Sequence, residues 1–319
     1  MVSLADTNHR AEASELRQRE GEKYGGSAEG IRQHYDLDTK FWHLVLGCTL
    51  TYSCAMFVDG EESLDDAQQR KIDWHIRNAG CAAASSVLDI GCGWGSILRR
   101  LAEGSAAVHC VGLTLSQTQF EHVRSQNLRG VKVRLENWAV HEPAEVYDSI
   151  VSVGAFEHFA KPEETEEEKI SVYRDFFARC HSWLRPSGRM TLQTMAFGNM
   201  KREAASEFMN REVFPDSDLP FFHEIVTGME GRFEIVSFRN DRLHYARTYD
   251  RWATNLRRNR AQAVDLVGEE VVARTERYFK LISMGFRIGK EHLLRFVLRP
   301  VTNRWALTGA DYWDLDQRR

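Results

Sequence analysis

The sequence predicts an α/β fold in which helices cover both faces of a seven-stranded, mostly parallel sheet. Short apolar runs alternate with amphipathic segments along the chain, and a glycine-rich turn directly follows the first of these runs. The length of 319 residues suffices for one large domain with a helical elaboration, or for two domains. The predicted strands are Ser86–Ile90, Ala107–Leu113, Val131–Leu135, Tyr147–Val153, Arg189–Met195, Phe233–Asn240 and Leu293–Leu298.

The composition is that of an ordinary globular protein, with 43% hydrophobic and 28% charged residues. A net charge of -4 predicts no general affinity for nucleic acid or for acidic lipid. The six cysteines show no C-x-x-C pair and no zinc-ligand spacing, which predicts no metal site and a reducing compartment. The polar N-terminus and the lack of a long apolar run favour a cytoplasmic protein without stable membrane insertion. The oligomeric state stays open, a homo-oligomer included.

The chain divides into five predicted segments. Residues 1–30 are charged and are expected to form a mobile arm, and the aromatic-rich residues 31–80 predict a helical segment that covers the active site. Residues 81–196 form the predicted ligand-binding core, and residues 197–221 a short cap. Residues 222–319 complete the sheet and supply long helices that are expected to line the substrate site.

The most informative stretch is Val87–Gly95, an apolar run that breaks into three alternating glycines. It predicts a strand, a tight turn and a helix, in which Gly91 and Gly93 let the backbone turn sharply and approach a ligand. The spacing differs from the Gly-x-Gly-x-x-Gly of dinucleotide sites, and no Gly-Lys-Ser/Thr follows for a phosphate. With Asp89 two residues ahead, the pattern resembles the first motif of class I S-adenosylmethionine (SAM) methyltransferases. A turn with a purely structural role is the alternative.

A second informative stretch is Cys110–Gln119. Many nucleoside-binding sheets carry an acidic residue at the end of the second strand, where it binds ribose hydroxyls. Leu113 and Thr114 take that place here. Ser116 and Gln119 have the S-x-x-Q spacing of a capping box, so a helix cap explains both residues without any ligand.

Five strings of residues occur in the order seen in cyclopropane fatty acid synthases and mycolic acid methyltransferases. They are Thr51–Cys54, Leu88–Gly95, Val111–Ser116, Gly154–Phe159 and His244–Thr248. The chain resembles this family from about residue 31 to residue 298. The resemblance implies a SAM-dependent enzyme with the Rossmann-like fold of class I methyltransferases, an N-terminal helical segment and a short helical cap.

The resemblance also implies the site residues. In the family a bicarbonate ion, the proposed base, lies among a Cys, a Glu, a His and a Tyr, and Cys54, Glu157 and Tyr245 match three of these positions. The fourth position is Gln193, which donates hydrogen bonds but cannot carry charge or shuttle a proton, and this argues against bicarbonate. From the residues alone, Cys54 is equally a small buried hydrophobe, and Tyr245 a core hydroxyl. The residues implied to bind SAM are Tyr52, Ser53, Asp89, Gly91, Gly93, Thr114, Leu115, Gln119 and Trp138.

The chemistry of SAM agrees with a carbon acceptor. Its sulfonium is a strong electrophile, so the protein must mainly align donor and acceptor and exclude water. Methyl transfer to a double bond leaves a carbocation, which aromatic faces stabilise and from which a base removes a proton. Glu157 is the predicted base with His158 beside it, and an ion-paired loop is the other explanation of this pair. The aromatic residues predicted to contact the substrate are Tyr35, Phe41, Trp42 and Phe156.

A basic run interleaved with aromatic residues contains Arg247 and Arg251. It is either the solvated face of a helix or a site for a diphosphate, as an isoprenoid diphosphate acceptor would require. The charged cap argues against docking on a bilayer and favours a smaller or soluble alkene.

These observations predict a SAM-dependent C-methyltransferase. Its acceptor would be an alkene carbon of a lipid-like or isoprenoid molecule, and its product methyl-branched or cyclopropane. N-methylation of a small amine is the alternative, because plant alkaloid N-methyltransferases share this framework. A SAM-binding protein without activity is a third possibility, and the presence of Glu157 and Tyr245 argues against it.

Overall fold

The computed structural model describes Tyr24 and residues 37–104, 108–202 and 218–302. The rest of the predicted N-terminal arm lies outside the described residues, as do Tyr35 and residues 203–217 of the predicted cap. Among the helices that the structure describes, none combines the length and the apolar character needed to span a membrane.

One sheet of seven strands forms the centre of the molecule. Its strands are β1 (Ser86–Ile90), β2 (His109–Thr114), β3 (Val131–Leu135), β4 (Tyr147–Val153), β5 (Leu184–Phe197), β6 (Phe233–Asn240) and β7 (Glu291–Pro300). They lie in the order β3-β2-β1-β4-β5-β7-β6. The pairs among β1 to β5 are parallel, and β7 runs antiparallel to both β5 and β6. The predicted mostly parallel sheet is therefore confirmed.

Three strands, β2, β5 and β7, differ from the prediction at their ends. The largest difference is in β5, which begins at Leu184 and accommodates extra residues through a register shift opposite Tyr147 and Ser149. Gly188 makes this close pairing possible, because a Cβ atom there would stand 2.7 Å from Asp148 O. The apolar run in the sequence corresponds to the buried part of β5. The irregular pairing with β4 adds residues at the start of β5 that this run does not predict.

Helices cover the sheet on both faces, as predicted. They are α1 (Thr39–Leu46), α2 (Leu64–Asn78), α3 (Ser96–Gly104), α4 (Gln117–Ser125), α5 (Glu166–Trp183), α6 (Phe222–Met229), α7 (Arg242–Arg258), α8 (Arg260–Val267) and α9 (Glu269–Ile288). Short 3-10 turns occur at Cys81–Ala83, Trp138–Val140 and Phe156–His158.

Helix α2 has clear local signals at both ends. The Asp66 N–H donates to Ser63 Oγ at 3.1 Å, which caps the first turn, and Gly80 follows the helix with a left-handed φ of +76°. The buried face of α2 carries Lys71 and His75 as well as apolar side chains. Burial of such polar groups requires partners or a ligand.

The N-terminal segment packs against α7, α8 and α9, with which it forms one hydrophobic cluster. Hydrogen bonds fix this contact: the Ala55 N–H donates to Thr248 Oγ1 at 3.1 Å, and Asn255 Nδ2 donates to Val45 O at 2.9 Å. Helix α1 and the segment that follows it are thereby held against α7.

Candidate active site

A cavity opens at the carboxyl ends of β1, β2, β3 and β4, the edge of the sheet where the sequence places the ligand. Its empty space is about 990 Å³, including the mouth to solvent. All the residues predicted to bind SAM line this one cavity, and so does His158, whose pKa burial lowers to about 4.

The glycine turn after β1 has the backbone shape that the motif predicts. Gly91, Gly93 and Gly95 have φ values of +76°, +54° and +77°, which L side chains rarely adopt. At Gly91 a Cβ atom would also stand 2.4 Å from Ala155 Cβ. The Gly91 N–H donates to Leu113 O at 3.0 Å and so ties the turn to the end of β2. The result is a bare stretch of backbone at the cavity wall.

Asp89 is a buried carboxylate in this wall, with 1% of its surface exposed. Among the described residues, neither of its oxygens has a hydrogen-bond partner. Burial raises the pKa of this carboxyl to about 7, and the charge of Lys71 opposes the rise. A buried carboxylate without a donor is costly. It therefore indicates a ligand that brings a donor, preferably a cationic one.

The end of β2 and the start of α4 supply a polar part of the wall. The Gln119 N–H donates to Ser116 Oγ at 3.2 Å, so the backbone half of the predicted cap is present. The Gln119 side chain does not close the capping box, because its Oε1 accepts from Thr114 Oγ1 at 2.8 Å instead. Trp138 lines the same cavity, with its ring centroid 5.1 Å from that of Phe159.

Glu157 lies in the 3-10 turn after β4 and is 6% exposed. Thr194 Oγ1 donates to its Oε2 at 3.0 Å. Burial raises the pKa of Glu157 to about 7, although this bond and backbone N–H groups oppose the rise. A Cβ atom built on Gly154 would stand 3.8 Å from both Glu157 Oε1 and Ser53 Cβ, so the carboxyl lies beside the cavity wall. A carboxyl with this pKa suits proton transfer at neutral pH.

Cys54 and Tyr245 lie near Glu157. Burial raises the pKa of Tyr245 well above its usual range, and charges on Tyr278, Glu157 and Cys54 raise it further. Burial also raises the pKa of Cys54 to about 12, and the thiol donates to Ala55 O at 3.2 Å. Both groups therefore stay protonated at neutral pH and act as hydrogen-bond donors, not as bases.

Aromatic rings surround Cys54 and Tyr245. Phe41, Trp42 and Tyr245 belong to one hydrophobic cluster, against which Tyr52 packs. The ring centroid of Tyr52 lies 4.8 Å from that of Trp42, and the centroid of Tyr245 lies 4.6 Å from that of Tyr249. Such a cluster suits an apolar acceptor and attracts positive charge on it.

Phe156 packs elsewhere. Its ring centroid lies 4.6 Å from that of Tyr173 and 5.4 Å from that of Phe176, both on α5. It belongs to the core cluster around α5, whereas Cys54 and Tyr245 belong to the cluster around α7. Its contacts therefore anchor the turn that carries the neighbouring Glu157 and give no support to the predicted substrate contact.

Gln193 belongs to a buried polar network. Arg295 Nε donates to Gln193 Oε1 at 2.8 Å, and Arg295 Nη2 donates to Cys54 O at 3.0 Å. Asp241 forms an ion pair with Arg295, and His75 Nε2 lies 3.4 Å from Gln193 Oε1. The network joins β5, β7, α2 and the segment that carries Cys54, and it puts a permanent positive charge behind Gln193.

Arg247 and Arg251 of α7 hold the loop that follows Phe57. Arg247 donates to Asp59 O and Gly60 O, and its guanidinium lies 4.0 Å from the ring centroid of Phe57. Arg251 Nη2 donates to Gly60 O at 3.3 Å. Both side chains are engaged by main-chain carbonyls, and these contacts add no support to diphosphate binding.

Comparison with known proteins decides the family. The family model described as mycolic acid cyclopropane synthetase matches residues 23–296. The chain belongs to this family. The resemblance predicted from the motifs is therefore confirmed, and with it the class I methyltransferase fold, SAM-dependent methyltransferase activity and SAM as the cofactor.

Individual members of the cyclopropane synthetase family cover nearly the same length. Cyclopropane mycolic acid synthase MmaA2 of Mycobacterium tuberculosis is 34% identical over 291 residues, which are 85% of this chain and 96% of the relative. The structure of mycolic acid cyclopropane synthase CmaA1 with SAH and CTAB matches with a TM-score of 0.76 at 32% identity, over 86% of this chain and 99% of that one. Coclaurine N-methyltransferase, at a TM-score of 0.72 and 21% identity over 86% of this chain and 83% of its own, shares the fold.

The cavity of this family member fits SAM. Asp89 offers the unpartnered buried acceptor that the cofactor's ammonium group needs. Trp138 offers an apolar ring face for the adenine. The bare backbone at Gly93, where a Cβ atom would meet no described atom within 4 Å, leaves room for close approach of the ligand. When bound there, SAM supplies an electrophilic methyl group.

Sequence reasoning missed several residues in or next to the site. Lys71 and Glu136 line the cavity, and His75, Asp241 and Arg295 form the network behind Gln193. Glu136 had a usable signal, since it follows the third strand, where it offers an acidic group that the second strand lacks. The other four had none, because an ionisable residue is ordinarily assigned to the surface.

Proposed function

We propose that the enzyme methylates an alkene carbon of a lipid-like acceptor, after which Glu157 removes a proton to give a methyl-branched or cyclopropane product. The observation that carries the proposal is the place of Glu157. Its buried carboxyl, with a pKa raised to about 7 by burial, lies behind Gly154 of the cavity wall, on the side where Ser53 also lies, and its charge acts on Tyr245 of the aromatic cluster. Relatives named cyclopropane mycolic acid synthases support this chemistry.

Tyr52 connects the donor side with the acceptor side. It lines the SAM cavity, and its ring centroid lies 4.8 Å from that of Trp42 and 5.1 Å from that of Trp252. A double bond held against these rings would meet the methyl group at the Tyr52 end of the cluster. The ring faces would stabilise the positive charge that methyl transfer leaves on the acceptor.

Glu157 is the group that would take the proton. Thr194 holds its Oε2, and its Oε1 lies on the side of Gly154 and Ser53. Removal of a proton from the new methyl group closes a cyclopropane ring, and removal from a neighbouring carbon leaves a methyl-branched alkene. Gln193, with Oε1 engaged by Arg295, keeps amide donors for an anion and takes up no proton. This arrangement supports Glu157 itself, rather than bicarbonate, as the base.

A diphosphate on the acceptor stays a prediction from the sequence. Because Arg247 and Arg251 donate to loop carbonyls, an acceptor that binds through its apolar chain is favoured over one that needs these guanidinium groups.

Product analysis tests the proposal. The enzyme would be incubated with SAM and, in separate reactions, a monounsaturated phospholipid, a monounsaturated acyl ester, a prenyl diphosphate and a small amine. We expect SAH release with an unsaturated acyl acceptor, a mass gain of one methylene located on carbon, and no reaction with the saturated ester of the same length. Turnover confined to the amine, with the methyl group on nitrogen, would overturn the proposal in favour of N-methylation.

A further inference from the structure

Helix α9 exposes a row of large apolar side chains. Leu281, Met284 and Ile288 are 42%, 53% and 58% exposed. They are spaced three and four residues apart, so they lie along one face of the helix. Single apolar side chains are ordinary on a protein surface, whereas a continuous row indicates contact with an apolar partner.

The C-terminal half of α9 is also basic. Between residues 277 and 290 the sequence contains two arginines, two lysines and no acidic residue. The four basic side chains are all exposed, and they are Arg277, Lys280, Arg287 and Lys290. Asp250 of α7 pairs with Arg287 and offsets one of these charges. The net charge of -4 for the whole chain therefore does not describe this surface.

The end of the helix accounts for only part of this charge. Cations in the last turn of a helix are stabilised by the helix dipole, and Arg287 and Lys290 lie at that end. Arg242 donates to Phe286 O at 2.7 Å and to Arg287 O at 2.8 Å, which satisfies two of the last carbonyl groups. Lys280 lies two turns before the end, where the dipole has little effect. The exposed apolar row has no explanation in the helix end at all.

The inner face of α9 packs on the aromatic cluster proposed to hold the acceptor. The ring centroid of Phe286 lies 4.9 Å from that of Tyr245, and the centroid of Phe279 lies 5.9 Å from that of Trp252. A helix with its side chains is about 10 to 12 Å across. The exposed row is therefore separated from the acceptor side of the site by the thickness of one helix.

We infer that the outer face of α9 docks on the surface of an anionic lipid bilayer. This α9 surface consists of Leu281, Met284 and Ile288 and of the four basic residues that flank them. The apolar row enters the headgroup region and the basic groups contact lipid phosphates, as in amphipathic helices that lie in a membrane interface. The protein is held on the bilayer without spanning it. If the acceptor is lipid-like, as proposed above, it meets the enzyme one helix away from the aromatic cluster.

Charge complementarity favours a bilayer over a second copy of the chain. In a two-fold contact through the same surface, the basic groups of one copy would face those of the other, and like charges repel. An anionic bilayer supplies the opposite charge next to an apolar layer. These are the two properties that the α9 surface requires of its partner.

Vesicle binding tests the inference. Co-sedimentation compares vesicles of phosphatidylcholine alone with vesicles of phosphatidylcholine and phosphatidylglycerol in equal parts. We expect binding to the anionic vesicles that weakens with added salt. The double variant Met284→Glu, Ile288→Glu should bind these vesicles at least about tenfold more weakly, because two apolar side chains no longer enter the interface. The matched control is Val58→Glu, Val146→Glu, which changes two exposed apolar side chains outside α9 by the same charge and should bind nearly as well as the unaltered protein.

A second pair of variants tests the charges. Lys280→Glu, Lys290→Glu should reduce binding to the anionic vesicles to the level seen with phosphatidylcholine alone. Arg257→Glu, Arg258→Glu, which changes exposed residues at the end of α7, should not. Equal losses in these two variants would attribute the binding to net charge and overturn the inference.

Three further results would also overturn it: no binding of the unaltered protein to anionic vesicles, full binding by Met284→Glu, Ile288→Glu, or an oligomer that dissociates in that variant. Size-exclusion chromatography detects the last of these, which would assign the α9 surface to a second copy. Thermal unfolding checks that each variant is folded. Vesicle binding needs neither SAM nor turnover, so its outcome is separate from the test of alkene methylation.

Discussion

The donor side and the acceptor side of the active site are built in different ways. The donor side consists of continuous stretches that follow neighbouring parallel strands: the glycine turn after β1, Thr114 after β2 and Trp138 after β3. The acceptor side gathers Cys54, Glu157 and Tyr245 from segments far apart in the chain. Local backbone conformation forms the donor side, and contacts between distant segments of the chain form the acceptor side.

The difference is clearest in the hydrogen bonds that hold each side. In the donor side, Gln119 bonds to Ser116 and Thr114, three and five residues away. In the acceptor side, Arg295 bonds to the carbonyl of Cys54 across 241 residues. Changes on the donor side should therefore weaken cofactor binding, and changes on the acceptor side should lower turnover or stability at constant cofactor affinity.

The largest expected effect lies on the acceptor side. Glu157→Gln should lower kcat by about 10²- to 10⁴-fold, the usual contribution of a general base, because an amide does not accept the proton. The affinity for SAH, measured by calorimetry, should stay unchanged. Glu291→Gln is the control, since burial also raises the pKa of Glu291 to about 7 but its carboxyl lies against Gly285 of α9, whereas that of Glu157 lies beside Gly154. Equal losses of kcat in the two variants would remove Glu157 from the mechanism.

A second change probes the network behind Gln193. Arg295→Met should lower the free energy of unfolding by about 3 kcal/mol, because it leaves Asp241 with Arg239 as its remaining partner and removes the buried donor to Gln193 Oε1 and Cys54 O. Arg287→Met is the comparison, as the Arg287–Asp250 pair is 52% and 44% exposed and should contribute less than about 1 kcal/mol. Urea denaturation measures both values. Similar losses of unfolding free energy in the two variants would contradict the expectation that the buried network stabilises the fold more than an exposed ion pair does.

Two substitutions in the glycine turn after β1 test the donor side. Gly91→Ala should cost about 2 kcal/mol in unfolding free energy and most of the affinity for SAH, because it combines a positive φ with a Cβ placed 2.4 Å from Ala155 Cβ. Gly93→Ala shares the positive φ, but its Cβ meets no described atom within 4 Å, so its loss of stability should be about half as large. Thermal unfolding and calorimetry compare the two variants. A greater loss of stability at Gly93 would contradict the packing argument.

The smallest expected effect is a pH dependence of about tenfold per pH unit. Burial raises the pKa of Glu157 to about 7, and the base must be ionised, so kcat at saturating SAM should rise with pH up to about 7 and level off above it. The measurement must be made at saturating SAM because burial also raises the pKa of Asp89 to about 7. The ammonium group of bound SAM would keep the Asp89 carboxyl ionised, so that its titration does not affect kcat. The acidic limb should be missing from the residual activity of Glu157→Gln. If kcat of that variant still rose with pH below about 7, a group other than Glu157 would be responsible for the pH dependence.

The donor side was largely predictable from the sequence, and the acceptor side was not. An apolar run, three glycines and Asp89 describe strand, turn and cavity wall within nine residues, and β1, β3, β4 and β6 have the predicted bounds. Arg295 looks like an interruption of an apolar strand, and Lys71 like a surface residue of an amphipathic helix. Their burial depends on Asp241 and Ser53, which no local pattern connects to them. Phe156 was predicted to contact the substrate, but its ring packs in the core around α5. Its position in the motif does not determine which hydrophobic cluster the ring joins.

Transfer from SAM with a deuterated methyl group tests the proposed chemistry most directly. If Glu157 deprotonates a methylated carbocation, the label should appear on carbon in an unsaturated lipid-like acceptor. A cyclopropane product would retain two of the three deuterium atoms, and a methyl-branched product all three. Product carrying the whole label on nitrogen or oxygen, or full turnover in Glu157→Gln, would contradict the account.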